Sequence, residues 1–87
     1  MSREEKEIIF EEFKKYLKEF YRIEDVKLKH DFKRDLGLSS FDFISIVCVL
    51  EKKYGVYFNP DDYRKLYTIE DVIDYIISQK NNAKMKE

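Results

Sequence analysis

Asp35-Leu36-Gly37-Leu38-Ser39-Ser40-Phe41-Asp42 ends an aperiodic stretch and opens a helix. From Phe43 to Tyr54 the chain is mostly apolar with a helical period, so the helix start falls on the two serines. Ser39 is the natural N-cap, and Asp42, three positions on, completes a capping box. Ser40 then takes the first helical position, where a side chain points outward beside unpaired N–H groups and the positive end of the helix dipole. A phosphate ester on Ser40 would sit in a favourable field. Two adjacent serines also serve often as a plain cap, so the flanking sequence has to decide between the readings.

Placed at 100° intervals, Phe43, Ile46, Val47, Leu50 and Tyr54 share one face of this second helix and predict a core stripe; Gly55 suits the position after its end. Phe41, Ser45, Cys48 and Lys52 fall on the opposite face. An outward Phe and Cys exceed what a monomer needs, so either this face meets a partner or the preceding loop folds over Phe41.

Upstream, Ser2 with Glu5 predicts a capping box that opens a first helix, whose Ile9, Phe13, Tyr16, Leu17 and Phe20 recur at three-to-four spacing to about Tyr21. Its other face, with Glu4, Glu11, Lys15 and Lys18, reads as a solvated surface of mixed charge. Between Arg22 and Leu38 no period survives, yet Val26, Leu28, Phe32 and Leu36 are spaced like anchors of a long loop crossing the end of a bundle. Connections beyond about 12–15 residues are uncommon in small domains and often functional. This one ends at the serine pair.

Downstream, Asn59-Pro60-Asp61-Asp62 combines an N-cap, a proline suited to the first turn and acidic residues, and predicts a short third helix from Pro60 to about Leu66. Thr68 with Asp71 opens a last helix with an inward stripe of Ile69, Val72, Ile73, Ile76 and Ile77. After Ser78 the period is lost, and residues 79–87 are expected to form a polar, disordered tail. The fold expected over residues 1–78 is therefore a single all-α domain, an antiparallel four-helix bundle with a long first loop and a short third helix.

The composition narrows the function. At 87 residues the chain is one domain without room for a deep catalytic cleft. Hydrophobic residues at 44% and charged residues at 40% describe a folded, soluble domain. A formal net charge of -1 speaks against a nucleic-acid binder, and Asp25, Asp31 and Asp35 interrupt the cations Lys27, Lys29, Lys33 and Arg34. One cysteine, Cys48, excludes an internal disulfide, and no ligand cluster near it suggests a metal. The charged N-terminus lacks a signal-peptide core, and no apolar run approaches a membrane span, so a soluble, cytoplasmic, monomeric protein without membrane insertion is expected. His30, with Asp25 and Asp31 near it, invites a triad with Ser40, but nothing fixes that histidine as a base. No catalytic residue is assigned, and the two separated glycines exclude a phosphate-binding glycine loop.

Asp35-Leu36-Gly37 followed by Ser39-Ser40-Phe41-Asp42 resembles the D-L-G-x-D-S-L-D attachment motif of the acyl carrier protein family. Leu50-Glu51-Lys52-Lys53-Tyr54-Gly55-Val56 is similar to the L-E-x-x-F/Y that closes the family's second helix, and Thr68-Ile69-Glu70-Asp71-Val72 to the opening of its last. The three pieces stand in the family's order and spacing and span all but the last ten or so residues. The resemblance implies 4′-phosphopantetheine attached to Ser40 by a phosphopantetheinyl transferase using coenzyme A, and a thioester-bound cargo passed between acyl-loading and acyl-transferring enzymes. It implies a carrier rather than an enzyme. The outward stripe Phe41, Ser45, Cys48 and Lys52, flanked by Asp42 and Glu51 and with Ser39 beside it, supplies the candidate partner contacts. Carriers of fatty-acid synthesis are typically very acidic, with Asp before the serine. Here Ser39, Ser45, Lys52 and Lys53 stand instead, which favours a dedicated carrier of polyketide, nonribosomal peptide or modified-lipid assembly. A carrier-like module that is never modified and only binds proteins is the competing reading.

Overall fold

The computed structural model describes the backbone of residues 2–86 and the side chains of residues 4–81. It contains α1 (Ser2–Tyr21), α2 (Ser40–Tyr54), a 3₁₀ helix (Pro60–Lys65) and α3 (Ile69–Lys86). Among the described residues there is no strand beyond an isolated antiparallel bridge between Asp31 and Thr68. The four-helix, all-α architecture is thus the expected one.

Each long helix buries most of the stripe that its period specifies, with Tyr16 and Tyr54 only partly buried. Ile9, Phe13 and Leu17 of α1, Phe43, Ile46, Val47 and Leu50 of α2, and Ile69, Val72, Ile73, Ile76 and Ile77 of α3 form one continuous core. Burying a side chain of this size is worth about 1.5–3 kcal/mol, so this shared stripe dominates the favourable side of folding. α1 and α2 run antiparallel: Tyr54, ending α2, donates its hydroxyl to Glu12 within α1, while Tyr21, ending α1, feels the charge of Asp42 at the start of α2. α1 is tied to α3 by Lys6, whose ammonium lies 2.8 Å from Glu70 and 3.2 Å from Asp74.

The long loop is fastened rather than slack. Arg22 takes the left-handed conformation at φ 58°, and the N–H of Ile23 returns to the Leu17 carbonyl at 3.2 Å, closing α1. Val26, Phe32 and Leu38 are buried, with Leu28 and Leu36 packed partly against the core. Leu28 and His30 offer their carbonyls to the N–H groups of Glu70 and Ile69 at 2.8 and 3.1 Å. The loop thereby satisfies donors that the start of α3 cannot satisfy itself.

Two expectations, the inward place of Phe20 and the irregular tail, are corrected. Phe20 is 68% exposed, because Tyr21 takes the inward place at the end of α1 and Phe20 lies outside on the Tyr16 ring, 4.9 Å between centroids. The short third helix stands where expected, from Pro60 to Lys65 with Leu66 as its C-cap, and is wound as a 3₁₀ helix. The chain after Ser78 is not an irregular tail: α3 continues to Lys86, and Lys80 reaches across to Glu5 of α1 at 2.7 Å. The expected capping box of Ser2 rests on a side chain outside the described residues.

Candidate functional site

The approach to α2 is built by Asp31. Its backbone carbonyl accepts from the N–H groups of Asp35 and Leu36, and its Oδ1 accepts from those of Lys33 and Arg34 at 2.8 and 2.9 Å. The Arg34 amide, followed by that of Lys33, holds the Asp31 carboxyl below the usual carboxylate range. Gly37 then turns the chain at φ 69°, and the N–H of Leu38 bonds the Phe32 carbonyl at 2.9 Å. Phe32 is 2% exposed, and its ring meets Phe13 at 6.0 Å and Phe43 at 5.2 Å. The residue before the cap is therefore fixed by core packing.

Ser39 is the N-cap. Its Oγ accepts from the Asp42 N–H at 3.1 Å, and the Asp42 carboxylate accepts from the Ser39 N–H at 3.1 Å. With the cap supplied by Ser39, Ser40 is the first residue of α2 and its side chain is exposed. It lines a groove of about 580 Å³ between the loop, α2 and the 3₁₀ helix, with Lys33, Arg34 and Arg64 around it and Phe43, Ile44, Tyr63, Leu66 and Tyr67 among its apolar walls. Tyr63 meets Phe43 edge to face at 5.8 Å, and burial raises its hydroxyl pKa, with the charge of Glu51 adding to the shift.

The remaining candidates separate by what their polar atoms are used for. Phe41 is 85% exposed, so the preceding loop does not fold over it. Ser45, Cys48 and Lys52 are exposed on the same helix. Glu51 has a structural duty: its carboxylate accepts the Phe58 N–H at 2.7 Å and secures the segment leading into the 3₁₀ helix. Asp42 is likewise occupied by the cap. His30 is no triad member, since its Nδ1 accepts the Lys27 N–H at 3.1 Å.

Sequence reasoning missed Ile44 and Val49, which stand 44% and 38% exposed between the two stripes of α2, and the tyrosine walls of the 3₁₀ segment. The spacing of Tyr63, Leu66 and Tyr67 was the available signal. Among the described residues no group of three or more His, Cys, Asp or Glu side chains is placed to hold a metal, and no helix is long and apolar enough to cross a membrane.

Residues 8–76 match the family model described as a phosphopantetheine attachment site. The acyl carrier protein of Coprothermobacter proteolyticus is 32% identical over 76 residues, covering 85% of this chain and 93% of that protein. That of Campylobacter lari is 37% identical over 70 residues, covering 78% and 91%. The chain belongs to the acyl carrier protein family. The fold agrees: an acyl carrier protein from Thermotoga maritima superposes with a TM-score of 0.80 over 91% of this chain and 94% of that one, at 22% identity.

Membership of the acyl carrier protein family brings a covalently attached 4′-phosphopantetheine. The start of α2 fits such a group: an exposed hydroxyl free of capping duty, a helix N-terminus that favours a phosphate, and a groove beside it with room for part of a chain.

Proposed function

We propose that Ser40 carries the 4′-phosphopantetheine arm and that this carrier displays thioester-bound acyl or aminoacyl groups to successive partner enzymes. The observation that supports this most directly is the division of labour at the start of α2, where Ser39 and Asp42 complete the cap and leave the Ser40 hydroxyl exposed. When bound, the arm supplies a terminal thiol for thioester chemistry. The chain's own residues present the attachment point: Ser39 orders the helix start, Phe32 and Gly37 set the approach, and the helix dipole favours the phosphate. A carrier of this kind performs no bond chemistry itself. It works in the cytoplasm with a phosphopantetheinyl transferase and with acyl-loading and acyl-transferring enzymes.

The exposed stripe Phe41, Ser45, Cys48 and Lys52 supports a docking role for the outward face of α2. Lys52 and Lys53 close that helix, and with few acidic residues along it electrostatic steering toward a basic partner is weak. This favours a dedicated carrier of polyketide, nonribosomal peptide or modified-lipid assembly over a housekeeping role in fatty-acid synthesis.

Intact-mass measurement after incubation with coenzyme A and a promiscuous transferase tests the attachment. Wild-type protein should gain one pantetheine phosphate and Ser40→Ala none. Absence of any gain in wild type would leave an unmodified interaction module as the better reading, and a gain on Ser40→Ala would move the site.

A further inference from the structure

The groove beside Ser40 carries cations that the attachment of an arm does not by itself require. Lys33 and Arg34 come from the loop and Arg64 from the 3₁₀ helix, so two separate elements bring three positive charges to one concavity. Among the described residues no salt bridge engages any of the three. Asp31 is the one carboxylate lining the groove; its Oδ1 accepts from the amides of Lys33 and Arg34, and its single charge, felt by both of those side chains, offsets one of the three and leaves the rim net positive. The remaining walls are largely apolar, including Ile44, Tyr63 and Tyr67.

From Ser40 outward, pantetheine presents a phosphodiester anion and then a carbon bearing two geminal methyl groups. A cationic rim with apolar walls matches that order. Resting on attachment at Ser40, we infer that the proximal end of the arm docks in this groove, its phosphodiester against Lys33, Arg34 and Arg64 and its geminal methyls against Ile44, Tyr63 and Tyr67. Covalent tethering keeps the anion at high local concentration, and guanidinium groups suit phosphate oxygens in geometry as well as charge. Lys33, Arg34 and Arg64 are thus positioning residues for the arm.

The test uses holo-protein whose loading on Ser40 has been established by intact mass. Failure at that step, or loading of Ser40→Ala, overturns the attachment reading and this inference with it. On loaded protein, NMR should show cross-peaks between the geminal methyls and the side chains of Ile44, Tyr63 and Tyr67 at low salt. Those cross-peaks should fade at about 0.5 M salt, where charges are screened within a few ångströms, and in the K33Q/R34Q/R64Q variant with its circular dichroism unchanged. Loaded wild type without them at low salt would overturn the docking. Cross-peaks that survive both salt and the triple variant would overturn the role of the cations. Should the variant fold poorly or resist loading, the salt series on wild type decides alone.

Discussion

Ser39 and Ser40 are neighbours of one residue type with opposite duties. Ser39→Ala removes the hydroxyl that accepts the Asp42 N–H and should cost about 0.5–2 kcal/mol in urea unfolding, while still accepting the arm. Its neighbour's substitution should act the other way, sparing stability and abolishing loading. Phe41, at 85% exposure, can be truncated to Ala within about 0.5 kcal/mol, so slower transfer of the arm to Phe41→Ala would report on docking alone. Asp42→Lys is a poorer probe of that face, because it removes half of the capping box and sets a cation at the positive end of α2. Gly55 holds φ 65° at the C-cap of α2, and a Cβ placed there would meet nothing within 4 Å, so Gly55→Ala should cost about 1–2 kcal/mol through backbone strain rather than a clash.

Between elements, two contacts tie α1 to its neighbours through groups that titrate at alkaline pH. Burial, followed by the hydrogen bond to Glu12, raises the pKa of Tyr54 above its ordinary 10.0. The hydrogen bond to Glu70 is the largest cause raising Lys6 above 10.5, against a smaller opposing effect of burial. Both groups are held in their protonated forms in the folded state, so their contributions are complete below pH 10 and are lost as pH climbs through the raised values. Urea midpoints should therefore be level with respect to these groups up to about pH 10 and fall beyond it. Tyr54→Phe should flatten part of that fall; an unchanged alkaline profile in both Tyr54→Phe and Lys6→Met would show that these contacts carry no linkage.

At the scale of the molecule, one loop residue joins the core to the site. Phe32 packs between Phe13 and Phe43 while its backbone N–H bonds the Tyr67 carbonyl at 3.0 Å and its carbonyl receives Leu38. Phe32→Ala should cost about 3–5 kcal/mol, a large share of the 5–15 kcal/mol typical of a small domain. Hydrogen exchange should rise most across residues 22–39 and at the start of α2, and loading of Ser40 should slow with it. Loss of stability with the loop still protected would place the loop's anchorage in Val26 and Leu38 instead.

How much was legible in the sequence follows from the range of the interactions involved. The helical stripes, the Ser39–Asp42 and Thr68–Asp71 caps, the turn at Gly55 and the attachment motif all rest on residues close to one another along the chain, so local sequence was enough to specify them. Phe20 and Tyr21 compete for one inward place, and only the partner surface at the end of α1 decided which side chain took it. Past Ser78 the apolar period gives no signal for α3, and the contact of Lys80 with Glu5 on another helix joins residues far apart in the chain. Exposure of Phe41 waited on where the loop was fastened, and the meeting of Arg64 with Lys33, Arg34 and Ser40 on where the 3₁₀ helix was pinned by Tyr75, whose hydroxyl bonds Asp62 at 2.9 Å. Local hydrogen bonding and periodicity wrote the elements and the serine; packing between segments distant in the chain made the groove beside it.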